Sequence, residues 1–166
     1  MKANPRPKLT IEPTGFDRTL EALAIAGIVS LWVVVLLKYS TLPERIPTHF
    51  NFKNEVDGYG GKDTILLLPI IGSAIYILLS VVNKFPHFFN YPTTITEENA
   101  SRQYQFATRL IRLLKAGIAL TFLCIIFMTF EAIDGHNPLP GYLIFPMVIA
   151  FIFAPIIWYF IRAFRK

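Results

Sequence analysis

Two histidines and two aspartates stand in short polar segments of an otherwise apolar chain: His49, Asp57, Asp134 and His136. Imidazole nitrogens and carboxylate oxygens are common zinc ligands, so these side chains could hold a metal ion. No HExxH or similar spacing accompanies them, and the two segments need not meet in the fold. One hypothesis is therefore a metal-dependent membrane enzyme that uses His49, Asp57 and His136. In the alternative, His49 and Asn51 hydrogen-bond the backbone of their own loop and shape it.

Other catalytic patterns are missing from the sequence. It contains no GxSxG elbow, and its single cysteine, Cys124, lies in an apolar run that contains no histidine. The glycines at 58, 60 and 61 lack the context of a nucleotide-binding loop. We therefore assign no catalytic residue and no cofactor, and we expect a non-enzymatic protein. The net charge of +5 does not require nucleic acid as a partner, because the basic residues flank apolar runs, where lipid already explains them.

The apolar runs that surround these segments are long enough to cross a bilayer. Hydrophobic residues make up 54% of the chain and charged residues only 16%. A membrane helix needs about 20 mostly apolar residues. Four runs meet this requirement and predict transmembrane helices at 20–37, 64–83, 113–130 and 142–161. We predict a single all-α integral membrane domain over residues 1–166.

Basic residues are distributed unevenly between the two sides that four spans would create. Four of the sixteen fall on the side of the 38–63 and 131–141 loops. The side with the 1–19 arm, the 84–112 segment and the 162–166 tail has twelve: Lys2, Arg6, Lys8, Arg18, Lys84, Arg102, Arg109, Arg112, Lys115, Arg162, Arg165 and Lys166. Positive residues stay cytoplasmic during insertion. This predicts a multi-pass protein of the inner or plasma membrane with cytoplasmic N- and C-termini.

The 84–112 segment is predicted to contain a cytoplasmic amphipathic helix that leads into the third span. Thr94 and Thr96 are alternative N-caps, and Glu97 and Glu98 suit the first turn of a helix. Lipid headgroups would bind its basic face, which makes the bilayer the partner; a docking site for a cytoplasmic protein is the alternative. The predicted headgroup ligands are Arg102, Arg109, Arg112 and Lys115.

The 38–63 loop is predicted to be a structured extracytoplasmic cap. Pro43 and Pro47 stiffen its entry. The apolar residues Ile46, Phe50 and Phe52 have the even spacing of a short strand or of a segment that lies on the membrane surface. Asn and Gly residues follow and favour a tight reversal of the chain.

This loop, LPERIPTHFNFKNEVDGYGGK, resembles the signature of the bacterial domain of unknown function 1648. The matching residues are Leu42, Pro43, Ile46, Pro47, His49, Phe50, Asn51, Asp57, Gly58 and Lys62. Asn54 stands where that family usually has glycine, and asparagine tolerates left-handed backbone angles better than most residues. The resemblance extends over roughly positions 20–130.

The same domain forms the N-terminal part of SdpI-like proteins, which give immunity against a secreted peptide toxin. The resemblance implies a role in peptide-toxin immunity or envelope sensing. Longer SdpI-like proteins have a further helical module, so we do not expect this chain to capture a repressor. Recognition of a hydrophobic peptide or of another membrane protein would use His49, Phe50, Asn51, Asp57, Gly58, Tyr59 and Lys62, with Phe52 as a further contact. A third hypothesis is an accessory subunit of a membrane complex.

Overall fold

The computed structural model describes residues 6–136 and 141–165 of the chain. Its helices are α1 (Gly15–Tyr39), α2 (Leu67–Val82), α3 (Glu97–Ile133) and α4 (Gly141–Phe164). Its strands are β1 (Arg45–Phe50) and β2 (Val56–Gly61). Short 3-10 turns cover Lys62–Leu66 and Pro86–Phe88.

Four helices within the described ranges are long and apolar enough to cross a membrane. This confirms the number of predicted spans, although α1 begins five residues before position 20 and ends two residues after position 37. The third span and the segment before it form one helix of 37 residues. Thr96 is its N-cap, and the side-chain oxygen of Asn99 accepts from the Thr96 backbone N–H in a capping box, so Thr94 is not the cap.

The chain is predominantly helical, as predicted, and departs from an all-α fold in the 38–63 loop. Strands β1 and β2 pair there as an antiparallel hairpin. Their pairing forms hydrogen bonds between backbone N–H and C=O groups, which would bond to water in a loop without secondary structure. Asn54 adopts a φ of +68° in the connection, which explains why a residue tolerant of left-handed angles stands at this position.

Helix α3 is the centre of the bundle and packs against α1, α2 and α4. Two glycines allow close approach of its neighbours. A Cβ on Gly27 of α1 would lie 2.8 Å from the Cβ of Ala119. A Cβ on Gly117 of α3 would lie 2.5 Å from the carbonyl oxygen of Phe151 in α4. Small residues at such crossings let membrane helices approach each other closely.

Two apolar clusters occupy opposite ends of the bundle. We call one end the hairpin end, where the buried side chains are Leu31, Val35, Leu42, Ile46, Ile65 and Ile126. We call the other the terminal end; it contains the starts of α1 and α3 and the ends of α2 and α4. There Ala107 of α3 packs with Tyr159 and Ala163 of α4. The amide of Gln103 also donates to the Ala163 carbonyl oxygen at 2.9 Å.

The outward faces of the helices are apolar and exposed, as in Leu37 of α1, Leu78 of α2 and Ile157 of α4. Such faces fit a bilayer, where lipid covers them. The side of the membrane occupied by each end stays a prediction, as does the single-domain boundary. Of the twelve predicted inner cations, Lys2 and Lys166 lie outside the described residues, as do residues 137–140 of the predicted 131–141 loop.

We expect Gly117→Ala to destabilise the protein, because the added Cβ has no space beside the Phe151 carbonyl. Overpacking of this kind costs about 1–3 kcal/mol. Thermal unfolding in detergent measures the effect. The matched control is Gly15→Ala at the start of α1, where nothing lies within 4 Å of the new Cβ. Equal midpoints for both variants would contradict the close packing of α3 and α4.

Candidate functional site

Asn51 organises the turn that joins the two strands. Its side-chain oxygen accepts hydrogen bonds from the backbone N–H groups of Lys53 at 2.9 Å and Glu55 at 3.0 Å. Its amide donates to the Glu55 carboxylate at 2.9 Å, and its carbonyl oxygen accepts from the Asn54 N–H at 2.8 Å. An asparagine that bonds its own backbone in this way fixes the course of the turn. The shaping role expected of Asn51 is therefore present in the structure.

His49 faces the carboxylate of Asp57 across the hairpin, with Nδ1 and Oδ1 2.5 Å apart. Register shifts leave Thr48 and Asp57 without cross-strand partners on either side of the His49–Gly58 pair. Such bulges redirect side chains. Gly58 is needed opposite His49, because a Cβ there would lie 2.9 Å from the histidine Cβ. His49 thus bonds a side chain, whereas the sequence predicted a bond to the loop backbone.

The His49–Asp57 pair is open to solvent. The side chains of His49 and Asp57 are 71% and 45% exposed. Exposed ion pairs contribute only about 0–1 kcal/mol to stability. Tyr59 of β2 is 58% exposed. The hairpin therefore exposes an imidazole, a carboxylate and a phenol to solvent.

Phe52 is at the tip of the hairpin and is 89% exposed. Its ring centroid is 5.5 Å from that of Phe145 in α4. Phe50, by contrast, is half-buried at the end of β1. The exposed aromatic residues of the motif are therefore Phe52 and Tyr59.

The base of the hairpin is fixed to the bundle. Ile46 is 1% exposed and packs in the cluster of the hairpin end. The ammonium group of Lys62 donates a hydrogen bond to the Glu44 carboxylate at 2.7 Å. The backbone N–H of Lys62 donates to the Glu44 carbonyl oxygen at 3.1 Å. The Tyr39 hydroxyl bonds the carboxylate of Asp63. These contacts make the hairpin a rigid projection of the helical bundle.

The ligand set of the metal hypothesis is not assembled. His136 contacts Glu131, with Nδ1 and Oε2 3.5 Å apart, whereas His49 contacts Asp57. No group of three or more His, Cys, Asp or Glu side chains is arranged to hold a metal ion within residues 6–136 and 141–165. Asp134 follows the last turn of α3 as its C-cap. The structure thus pairs the two histidines separately.

A second polar centre, which the sequence did not predict, lies between α1 and α3 at the terminal end. Asp17 is 1% exposed although it carries a carboxylate. Arg109 donates to both of its oxygens, through Nε at 2.7 Å and Nη2 at 3.0 Å. Thr14 caps α1 and donates its hydroxyl to Asp17 at 2.6 Å. A bidentate contact of this kind is among the stronger ionic interactions in proteins.

One helical turn farther along α1, Glu21 bonds the buried ammonium of Lys115. The Lys115 Nζ lies 2.5 and 2.8 Å from the two carboxylate oxygens, and it also donates to the Ser80 hydroxyl at 3.0 Å. Tyr76 donates its hydroxyl to Glu21 at 2.6 Å. The Lys115 side chain is 1% exposed. Three helices therefore meet at one ion pair.

The four predicted headgroup ligands lie in different environments. Arg102 is exposed on α3. Arg109 and Lys115 bond carboxylates inside the protein, so their charges are matched there. Arg112 lies 4.0 Å from Asp17 and 3.9 Å from Glu21, which is beyond hydrogen-bond distance. Headgroup binding stays a prediction for Arg102 and Arg112.

The spacing of the charged residues in the sequence indicates the polar centre between α1 and α3. Asp17 and Glu21 are four residues apart, and Arg109, Arg112 and Lys115 follow at intervals of three. Each set lies along one face of its helix. Two helices with facing stripes of opposite charge near the same end of a bundle are candidates for direct pairing.

Part of the chain matches a known family. The family described as Domain of unknown function (DUF1648) matches residues 26–72, from within α1 through the hairpin to α2. An uncharacterized protein of the archaeon Archaeoglobus fulgidus is 32% identical over 163 residues, covering 89% of this chain and 87% of that protein. No solved structure matches the chain. Since that relative is archaeal, the similarity does not support the bacterial source that the signature suggested.

We expect Lys115→Met to destabilise the protein by roughly 3–5 kcal/mol, because it leaves the Glu21 carboxylate without its buried partner. Adding Glu21→Gln should recover most of that loss, since both charges are then absent. Unfolding of the two single variants and the double variant in detergent forms a double-mutant cycle that measures the coupling. The exposed Lys53→Met is the control and should unfold like the parent protein. Additive effects of the two substitutions would contradict the pairing.

Proposed function

The chain belongs to the DUF1648 family, and we propose that it is a multi-pass membrane protein whose hairpin recognises a hydrophobic peptide outside the cell. The bilayer is that of the inner or plasma membrane, and both termini are cytoplasmic. The role is non-enzymatic immunity or sensing, as in the SdpI-like proteins that the motif resembles.

The charge distribution supports this orientation. The terminal end contains ten of the twelve predicted inner cations within the described residues, and among them Arg18, Lys84 and Arg102 are exposed. Exposed cations near the ends of spans resist translocation and favour the cytoplasmic leaflet. The hairpin end then faces outward.

The observation that supports recognition best is the contrast between the exposed and the buried residues of the hairpin. His49, Phe52 and Tyr59 are exposed to solvent. Ile46 is buried at the base of the hairpin, and Asn51 holds the turn by hydrogen bonds. Aromatic side chains supply much of the energy at protein interfaces. A rigid surface loses little conformational entropy on binding, which favours affinity for a peptide.

Cysteine labelling tests the orientation. In a Cys124→Ser background, we expect Lys53→Cys to react with a membrane-impermeant maleimide added to intact cells. Lys84→Cys should react only after the cells are opened, because it lies at the terminal end. The opposite pattern would invert the topology and remove the hairpin from contact with external peptides.

Survival of peptide-treated cells tests recognition. Cells that make the protein should survive a secreted hydrophobic peptide toxin that kills cells without it. His49→Ala and Tyr59→Ala should reduce this protection about tenfold or more, the size of effect of an interface hot spot. Their abundance in the membrane should stay unchanged, because both side chains are exposed.

Asn51→Ala and Lys53→Ala are the matched variants for that experiment. Asn51→Ala should lower abundance together with protection, since the turn loses its hydrogen bonds. Lys53→Ala should leave both unchanged. Equal survival with and without the protein across a panel of secreted peptides would overturn the immunity role.

A further inference from the structure

A cavity of about 830 Å³ opens at the terminal end of the bundle. We call it the basic cleft. Its walls are the arm residues 8–13, α1, the last turns of α2, the 83–87 segment and α3. Asp17, Glu21 and Lys115 of the second polar centre also line it. Hairpin recognition does not use this cavity, which lies at the other end of the molecule.

The charge of the basic cleft is positive. The five cations that line it are Lys8, Arg18, Lys84, Arg112 and Lys115, against the two carboxylates of Asp17 and Glu21. Those carboxylates already bond Arg109 and Lys115. Lys8, Arg18 and Lys84 are exposed and form no ion pair within residues 6–136 and 141–165. The Arg112 side chain is 12% exposed and forms only long ion pairs, 4.0 Å from Asp17 and 3.9 Å from Glu21. An anion entering the cleft therefore meets three exposed cations that form no ion pair within the described ranges, Lys8, Arg18 and Lys84.

One wall of the basic cleft is apolar and continues onto the outside of the bundle. Ile77 and Val81 of α2 line the cavity. Both are also exposed on the helix surface, by 61% and 49%. Apolar surface on a spanning helix faces acyl chains. The positively charged cleft is therefore continuous with the surface of α2 that faces lipid. A binding site for free phosphate would need no such apolar wall.

The N-terminal arm is held in place as one side of the cleft. Arg6 donates to the carbonyl oxygen of Phe89 at 2.5 Å, and its guanidinium lies 5.6 Å from the Tyr91 ring centroid. Tyr104 donates its hydroxyl to the Pro7 carbonyl at 3.0 Å. The Tyr91 hydroxyl donates to the Pro86 carbonyl oxygen at 2.9 Å, and burial raises the pKa of that hydroxyl. Lys8, which follows these anchors, is thereby kept at the rim.

We propose that the basic cleft binds the headgroup phosphate of an anionic phospholipid, with an acyl chain along Ile77 and Val81. Basic pockets between membrane helices commonly bind such headgroups. Lys8, Arg18, Lys84 and Arg112 attract the phosphodiester. The apolar wall selects an amphiphile over a soluble anion.

Lipid binding to the full chain in detergent tests the proposal. Native mass spectrometry or calorimetry should show one phosphatidylglycerol bound at least tenfold more tightly than phosphatidylcholine. Arg18→Gln combined with Lys84→Gln should weaken phosphatidylglycerol binding about 30-fold, since each cation near an anionic lipid contributes roughly fivefold. Arg162→Gln is the matched control, because Arg162 is an exposed cation of the same end that does not line the cleft.

Each alternative result has a defined meaning. Equal affinity for the two lipids would overturn the proposal, and so would a double variant that binds like Arg162→Gln. Inorganic phosphate that binds as tightly as phosphatidylglycerol would assign the cleft to a soluble anion and overturn the lipid assignment. Thermal unfolding confirms that the double variant is folded; if it is not, Lys8→Gln replaces it, with a loss of roughly fivefold expected and no loss counting against the proposal.

Discussion

The ion pairs between α1 and α3 are the constraint on which the arrangement of the bundle depends. A charge in an apolar interior is costly unless an opposite charge and hydrogen bonds surround it. Asp17 with Arg109 and Glu21 with Lys115 meet this condition only at one rotation and one height of α1 against α3. Because α1 leads directly into the hairpin, the same arrangement sets Ile46 in one apolar cluster with Ile126 of α3. Charge pairing at one end and apolar packing at the other thus define a single alignment.

Features that depend on neighbouring residues were predictable from the sequence. The four apolar runs predicted four spanning helices, because the hydrocarbon thickness sets their length. The turn formers Asn54, Asp57-Gly58 and Gly60-Gly61 predicted a tight reversal; Asn54 adopts its left-handed angle, whereas the glycines lie in β2. The strands themselves were only one of two alternatives, since a short apolar alternation also fits a segment on the membrane surface.

Features that depend on distant partners were not predictable in the same way. Asp17 and Arg109 are separated by 92 positions, and Glu21 and Lys115 by 94. Each residue by itself resembles an ordinary flanking charge at the end of a span, and Lys115 in particular was expected to reach the headgroups. The rotation of α1 against α3 decides between these alternatives. The direct His49–Asp57 contact was not predicted for a related reason, although the metal hypothesis placed both residues in one site, because it depends on register shifts that no local pattern indicates.

The contact between Gly117 and the Phe151 carbonyl limits how the bundle can move. The backbones of α3 and α4 touch there with no side chain between them. If α4 slid along α3, Phe151 would meet the larger residues one turn from Gly117 on the same face of the helix, such as Leu113 or Leu120. Axial sliding is therefore sterically blocked. Any rearrangement of α4 must therefore move the helix sideways, away from α3. Lipid must then enter the gap that opens between the two helices.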